Sequence, residues 1–300
     1  MKILEEKYPK GTLKGQKTDG RYVDETLYEN IKFLSKAILK DMTFLTVVFS
    51  STLEVGAGKS VFASQLGEVW THLMKQLHGI EVPFDIKHCV FRPKDLIKRS
   101  FEVPKYSYIW LDEWEDSHYW SELGMTLRQF FRKCRQLNLF LVLIIPNFFQ
   151  LPINYAISRS VCAIDVYFED GFERGYFKFY NFDRKKDLYL NGKKTQNYMV
   201  TRPNFSGRFL DGYAVDEKEY RRVKLRDLAE AEAEEDKSPK QIQKEVKEQI
   251  FKTVLKNSKG MTVKKLSEWF GVSTRTAFRW LSSDTEDDNE DSMPDAGRET

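Results

Sequence analysis

The sequence predicts an α/β protein: a mostly parallel sheet flanked by helices, with an antiparallel hairpin at its edge, followed by a small all-α domain. Three observations carry this. Apolar or β-branched runs alternate with amphipathic segments through the first half of the chain, as strands buried on both faces and separated by helices do. The stretch VCAIDVYFEDGFERGYFKFYNF has β-rich arms on either side of Asp170-Gly171, a turn dipeptide. A basic stretch near the C-terminus carries its apolar residues at helical spacing.

The elements follow in order. Residues 1–23 are rich in Lys and Gly and are expected to be flexible. In DETLYENIKFLSKAILK, Leu27, Ile31, Leu34, Ile38 and Leu39 share one helical face. MTFLTVVFS reads as a buried strand. SSTLEVGAGKS comes next, then SVFASQLGEVWTHLMKQLHG, a helix that Gly79 ends. A short strand is expected over 84–91, a short helix over 93–100 and an apolar strand over 106–111. A helix over 123–137 carries Arg128, Arg132, Lys133 and Arg135, and the strand LFLVLII follows. These elements and the hairpin belong to one domain, 24–225. Residues 226–239 are Ala/Glu-rich and broken by Pro239, which predicts a charged linker. A helical unit is expected over 240–282, and the almost wholly polar 283–300 reads as a disordered acidic tail.

The net charge of +3 hides a split: from Ser282 onward the chain carries −7, and everything before it +10. A basic body points to an acidic partner, nucleic acid being the commonest, against the plainer reading of an ordinary Lys-rich surface. The three cysteines have no paired spacing and form no zinc pattern. They read as reduced core thiols of a cytoplasmic protein. MKILEEKYPKG has no apolar signal region. The longest apolar run, 139–145, falls far short of the roughly 20 residues that span a bilayer, so no membrane span is expected.

The stretch SSTLEVGAGKS raises the functional question. A glycine-rich loop between a strand and a helix turns backbone N–H groups toward one spot, where the helix N-terminus adds partial positive charge. Gly56 and Gly58 let the backbone approach phosphate closely. Ala57 and Val61 belong to the same loop and first turn, Lys59 would reach the β- and γ-phosphates of ATP, and the Ser60 hydroxyl would coordinate Mg²⁺. A second element is Asp112-Glu113, at the end of the strand YSYIWL. Acids there are costly unless something uses them. Asp112 suits a metal held through water, and Glu113 suits polarisation of an attacking water; the competing reading is an acidic helix start. A third element is Asn147, at the end of LFLVLIIPN, on the side of a parallel sheet where ligands bind. It reads either as a sensor of the γ-phosphate or as a loop residue.

At these residues the chain resembles the P-loop NTPases. The order GAGKS, Asp112-Glu113 and Asn147 looks like the subgroup with an added catalytic glutamate and an extra strand between the two Walker motifs. Within it, the arginine-bearing helix before Asn147 is similar to the FtsK/HerA-like DNA-pumping ATPases and the Zot-like phage proteins. The resemblance covers roughly residues 40–180. It implies Mg²⁺-dependent ATP hydrolysis in a homo-oligomeric ring, such as a hexamer, whose neighbours supply an arginine finger. Leu53 departs from the pattern by replacing the first glycine of the loop, which is expected to alter affinity. Arg128, Arg132, Arg135 and Arg159 are the candidate fingers, against the reading of each as a solvated or DNA-facing side chain.

Near the C-terminus, Thr262 can cap a helix VKKLSEWF, Gly271-Val272 makes a tight turn, and Ser273 can cap a second helix TRTAFRWL. QIQKEVKEQIFKTVLKN supplies a third helix, with Ile242, Val246, Ile250, Val254 and Leu255 on its face. This resembles a helix-turn-helix module, and residues 240–281 carry a net charge of +7. The second helix would enter the major groove of double-stranded DNA. Ser273, Thr274, Arg275, Thr276 and Arg279 would stand at its N-terminus or polar face, and Lys264 and Lys265 would meet the backbone. The competing reading is a bundle for oligomerisation or partner docking.

Three functions remain: an ATP-driven DNA translocase, packaging or transfer motor of a virus or mobile element; a non-motor ATP switch acting at a DNA site; and a secretion or assembly ATPase. A kinase is disfavoured because Asp112-Glu113 suits activation of water.

Overall fold

The computed structural model describes residues 7–8, 23–52, 56–112, 130–132, 134–169, 173–235, 239–257 and 261–282. Most of 1–23, Leu53, Glu113, Arg128, Lys133, Asp170-Gly171 and the acidic tail 283–300 lie outside the described residues. The chain divides into two compact units, Met1–Ala233 and Glu234–Thr300.

In the first unit, β1 (Lys7–Tyr8) pairs in parallel with β2 (Val23–Asp24). Asp24 then caps α1 (Glu25–Ile38) by accepting from the Leu27 N–H at 3.0 Å. Helix α1 buries Leu27, Tyr28, Ile31 and Ile38, whereas Leu39 lies past its last turn and is exposed. Strand β3 (Phe44–Phe49) is buried throughout. Helix α2 (Lys59–His78) follows it and ends as Gly79 takes a left-handed conformation. Gly67 sits in the middle of α2 because a Cβ there would lie 2.3 Å from the Phe84 ring and 2.7 Å from Tyr108. Close packing against the sheet overrides the preference for a better helix former.

The expected strand over 84–91 shrinks to β4 (Cys89–Val90). Asp85 and His88 form a capping box that winds Ile86–His88 into a 3₁₀ turn before the chain can extend. Helix α3 (Pro93–Glu102), β5 (Tyr108–Leu111) and β6 (Phe140–Ile144) come next. Of the helix expected over 123–137, the described Phe130–Arg132 are α-helical, and Cys134–Leu137 form a 3₁₀ turn. Strands β7 (Ser160–Glu169) and β8 (Glu173–Tyr180) form the expected antiparallel hairpin. Beyond it, α4 (Phe182–Gly192), β9 (Phe205–Arg208) and α5 (Glu217–Glu235) complete the unit.

The seven-stranded sheet runs β4-β5-β6-β3-β7-β8-β9. Strands β3 to β7 are parallel, and β8 and β9 add antiparallel pairs at one edge. Strand β6 therefore lies between β3 and β5, and the chain crosses over β3 to place β7 on its other side. The strand order reverses at β3, and the carboxyl end of such a strand is where open α/β sheets form their crevice. All three cysteines are buried and free. No helix is long and apolar enough to cross a membrane among the described residues.

The second unit contains α6 (Pro239–Asn257), α7 (Val263–Phe270) and α8 (Thr274–Ser282). Its core joins Ile250 and Val254 to Leu266, Phe270, Ala277 and Trp280. Its hub is the fully buried Phe251, whose ring meets Phe270 and Trp280 edge-on at 5.7 and 5.5 Å. Thr262 accepts from the Lys265 N–H at 3.3 Å, Gly271 turns the chain with φ +64°, and Ser273 accepts from the Thr276 N–H at 3.1 Å.

One buried charge in the first unit has a measurable consequence. Lys185, on α4, is fully buried and donates to the Ala156 and Ile157 carbonyls at 3.0 and 2.6 Å. Burial lowers its pKa from the ordinary lysine value to about 8. Between that value and the ordinary one near about 10.4, the unfolded chain holds a proton that the folded chain has lost. Wild-type stability should therefore gain on a Lys185→Met variant by about 2 kcal/mol as pH rises from about 7.5 to 10. Urea denaturation of the two proteins at each pH checks this; a constant difference would contradict it.

Candidate functional site

The carboxyl edge of the parallel strands gathers the chemistry. Gly56 and Gly58 have φ of +84° and +96°, which side-chain-bearing residues rarely adopt. Gly58 caps α2 and brings no side chain to its N–H groups, so the first turn presents them to the loop. Ala57 and Lys59 are buried, and Ser60 and Val61 are half-buried.

Asp112 follows β5 directly and is fully buried. Its Oδ1 accepts from the Ser60 hydroxyl at 2.9 Å, which joins the loop to the end of β5 across the intervening β6. Its Oδ2 accepts from the Tyr220 hydroxyl of α5. Burial, then the Asp112 charge, pushes the Tyr220 phenol well above its ordinary range. The Tyr213 ring stacks on Tyr220 at 4.5 Å.

The segment between β9 and α5 lies along the same helix. A Cβ on Gly58 would come within 3.3 Å of the Phe209 ring. Gln65 donates to the Leu210 and Gly212 carbonyls at 2.6 and 2.8 Å, and the Ala214 N–H donates to Ser64 at 3.0 Å. On the other flank, the buried Asp165 of β7 accepts from the Ser51 N–H at 2.7 Å and the Ser51 hydroxyl at 2.6 Å. The Lys178 ammonium stands 3.6 Å away. Burial raises the Asp165 pKa, while Ser51 and Lys178 oppose the rise. The Phe168 N–H donates to Thr52 at 3.3 Å. The nearest group to a Cβ built on Gly56 is the Arg174 guanidinium, at 3.7 Å.

A hydroxyl and a carboxylate 2.9 Å apart, beside a helix N-terminus that no side chain of its cap residue covers, are a hard-oxygen donor set of the kind Mg²⁺ takes together with phosphate and water. The residues present fit that group. Among the described residues no cluster of three or more His, Cys, Asp or Glu could hold a metal by itself.

The remaining expected residues fare differently. Asn147 stands at the same edge, but its carboxamide is engaged: Oδ1 accepts from the Phe149 N–H at 2.9 Å and the Tyr198 hydroxyl at 2.8 Å, and Nδ2 donates to Gln196 at 3.1 Å. Those contacts are the loop reading of this residue. Arg132, Arg135 and Arg159 precede β6 and β7, at the amino edge of the sheet. Arg135 pairs with Asp41 at 3.1 Å, and Arg159 donates to the Phe131 carbonyl at 3.3 Å. A strand of this length separates the edges by roughly 16–20 Å, so none of the three meets the loop of its own chain. Glu113, Leu53 and Arg128 lie outside the described residues. In the second unit Lys264, Lys265, Ser273, Thr274, Arg275 and Arg279 are exposed, and Thr276 is half-buried.

The sequence reading missed Tyr220, Asp165, Arg174 and Phe209. Asp165 alone left a signal, an acid in the middle of the apolar run VCAIDVYF. Asp165→Asn should destabilise the protein by about 1–3 kcal/mol, because it sets an NH₂ group against donors of Ser51. Ser51→Ala, which keeps the N–H bond, should cost less, about 0.5–1.5 kcal/mol. Chemical denaturation of both variants checks the order. No protein-family model, curated protein or solved structure matches the chain.

Proposed function

We propose that the first unit is a Mg²⁺-dependent ATPase of the P-loop class and the second a helix-turn-helix module that binds double-stranded DNA, the whole working as an oligomeric DNA translocase, packaging or transfer motor. The observation that carries the reading is the Ser60–Asp112 hydrogen bond. It brings together the two residues that the motifs assign to one metal, although 52 residues separate them. The position of β6 between β3 and β5 supports the resemblance to the subgroup with an inserted strand.

In this reading the N–H groups of Gly56 to Val61 cradle the β- and γ-phosphates, and Lys59 neutralises their charge. Ser60, and Asp112 through water, would hold Mg²⁺, which would draw charge from the phosphate oxygens. Glu113 orients a water for attack on the γ-phosphorus; the bond to the bridging oxygen breaks and ADP leaves. Arg174, whose guanidinium lies 3.7 Å from a Cβ built on Gly56, stands beside the loop in the same chain. Arg132 and Arg135, at the opposite edge, would act on a neighbour's nucleotide. In the second unit Arg275 and Arg279 would face the major groove. The alternative is a non-motor ATP switch at a DNA site. The tie between Asp112 and Tyr220 favours it, since it gives the metal carboxylate a conformational partner as well as a chemical one.

ATP hydrolysis should rise severalfold with double-stranded DNA, and Lys59→Ala and Glu113→Gln should abolish it. A steady-state phosphate-release assay with and without DNA decides. Binding of ATP with turnover near background on any DNA would reject the motor and leave the switch. Arg275→Ala and Arg279→Ala should each weaken duplex binding and, where the arginine meets phosphate, lower the salt slope by about 1. Fluorescence anisotropy across a salt series checks this, and unchanged binding would reject the DNA role of that helix.

A further inference from the structure

A carboxylate as deep as Asp112 needs hydrogen-bond donors for both oxygens. Ser60, on the loop side, bonds Oδ1. Oδ2 is bonded by a residue 108 positions later in the chain, Tyr220. That phenol is itself held. It is 3% exposed, its ring stacks on Tyr213 at 4.5 Å and meets Phe91 at 6.0 Å, and its N–H donates to the Asp216 carbonyl at 2.9 Å. Its helix is fastened to the sheet side by Asp227, 2.9 Å from Arg92. The chain leading into it is fastened to α2 through Gln65 and Ser64.

We propose that Tyr220 is a positioning residue for the metal end of the nucleotide site. Its hydroxyl fixes the plane of the Asp112 carboxylate, so that Oδ1 stays beside Ser60 and faces the loop. Without it, Oδ2 has lost a donor and the carboxylate can rotate away from the Ser60 position. Partners of this kind, behind a ligating group, set metal affinity by about 10- to 100-fold. The inference rests on the nucleotide reading of Ser60 and Asp112.

The test uses the full chain and a fluorescent ATP analogue, titrated in EDTA and in excess Mg²⁺, with melting temperature recorded for each protein. Tyr220→Phe keeps the ring and removes only the hydroxyl. Its Kd in EDTA should match the wild type within about twofold, while the Mg²⁺ concentration that half-saturates the gain in affinity should rise about tenfold. Tyr213→Leu removes the ring stacked on Tyr220 and leaves Asp112 and Tyr220 in place. It should shift the same midpoint in the same direction, which keeps the test available if Tyr220→Phe does not fold. An unchanged Mg²⁺ midpoint in the folded variants overturns the inference and leaves the ATPase reading standing. So does an equal loss of affinity in EDTA and in Mg²⁺, the signature of a merely structural role. A wild-type protein that binds no analogue in either condition, with Lys59→Ala indistinguishable from it, rejects the nucleotide reading, and the inference falls with it.

Discussion

Burial of one carboxylate organises the first unit. Asp112 has no exposure to solvent, and an isolated charge at that depth would cost several kcal/mol. The cost is offset by hydroxyl donors from two separate parts of the chain, the first turn of α2 and the first turn of α5. The constraint is mutual. The loop after β3 must end where Ser60 can reach β5, and the segment after β9 must run along α2 far enough to deliver Tyr220. The contacts of Phe209, Gln65 and Ser64 trace that path. Placing this carboxylate thus ties the centre of the sheet to a C-terminal segment that no strand pairing would otherwise bring there.

The parallel sheet then separates two kinds of chemistry. Every residue that follows a parallel strand stands at one edge, and every residue that precedes one stands at the other. The glycine loop, Asp112 and Asn147 share the first; Asp41, Arg135 and Arg159 share the second. The hairpin extends the rule. Because β8 runs antiparallel to β7, Arg174 at its start returns to the edge where β7 ends, and Phe209 arrives there at the end of β9. Topology alone brings an arginine and an aromatic ring to the loop while sending Arg132 and Arg135 to the far side.

What was legible in the sequence follows from range. The central strands announce themselves because burial on both faces leaves continuous apolar runs, as in FLTVVF and FLVLI. Thr262 and Ser273 were readable as caps because a cap acts within one turn. The Ser60–Asp112 pair was readable because each partner sits at the end of such an element. Tyr220 was not: nothing local distinguishes a tyrosine in EKEYRRVKL, and its role depends on a contact across 108 residues. The strand over 84–91 misled for the opposite reason. Its apolar pattern suited a strand, but Asp85 and His88 made a stronger local bond than the sheet edge could offer.

The charges flanking β7 show how the edge of the sheet is specified. Asp165 and Lys185 are both fully buried, yet they do not pair with each other. Asp165 is answered by Ser51 and, more distantly, Lys178, and Lys185 by two backbone carbonyls of the turn before β7. Each side chain bonds a segment that leads into or out of a strand: Asp165 the start of the glycine loop after β3, Lys185 the π-helical Asn154–Arg159 that leads into β7. Apolar residues could fill the same volume, and such replacements are often neutral or stabilising, but they could not fix the register of a loop whose backbone groups need directional partners. Burial at these two positions therefore costs stability and gives position, and the position it fixes on one side is that of the loop beside Ser60.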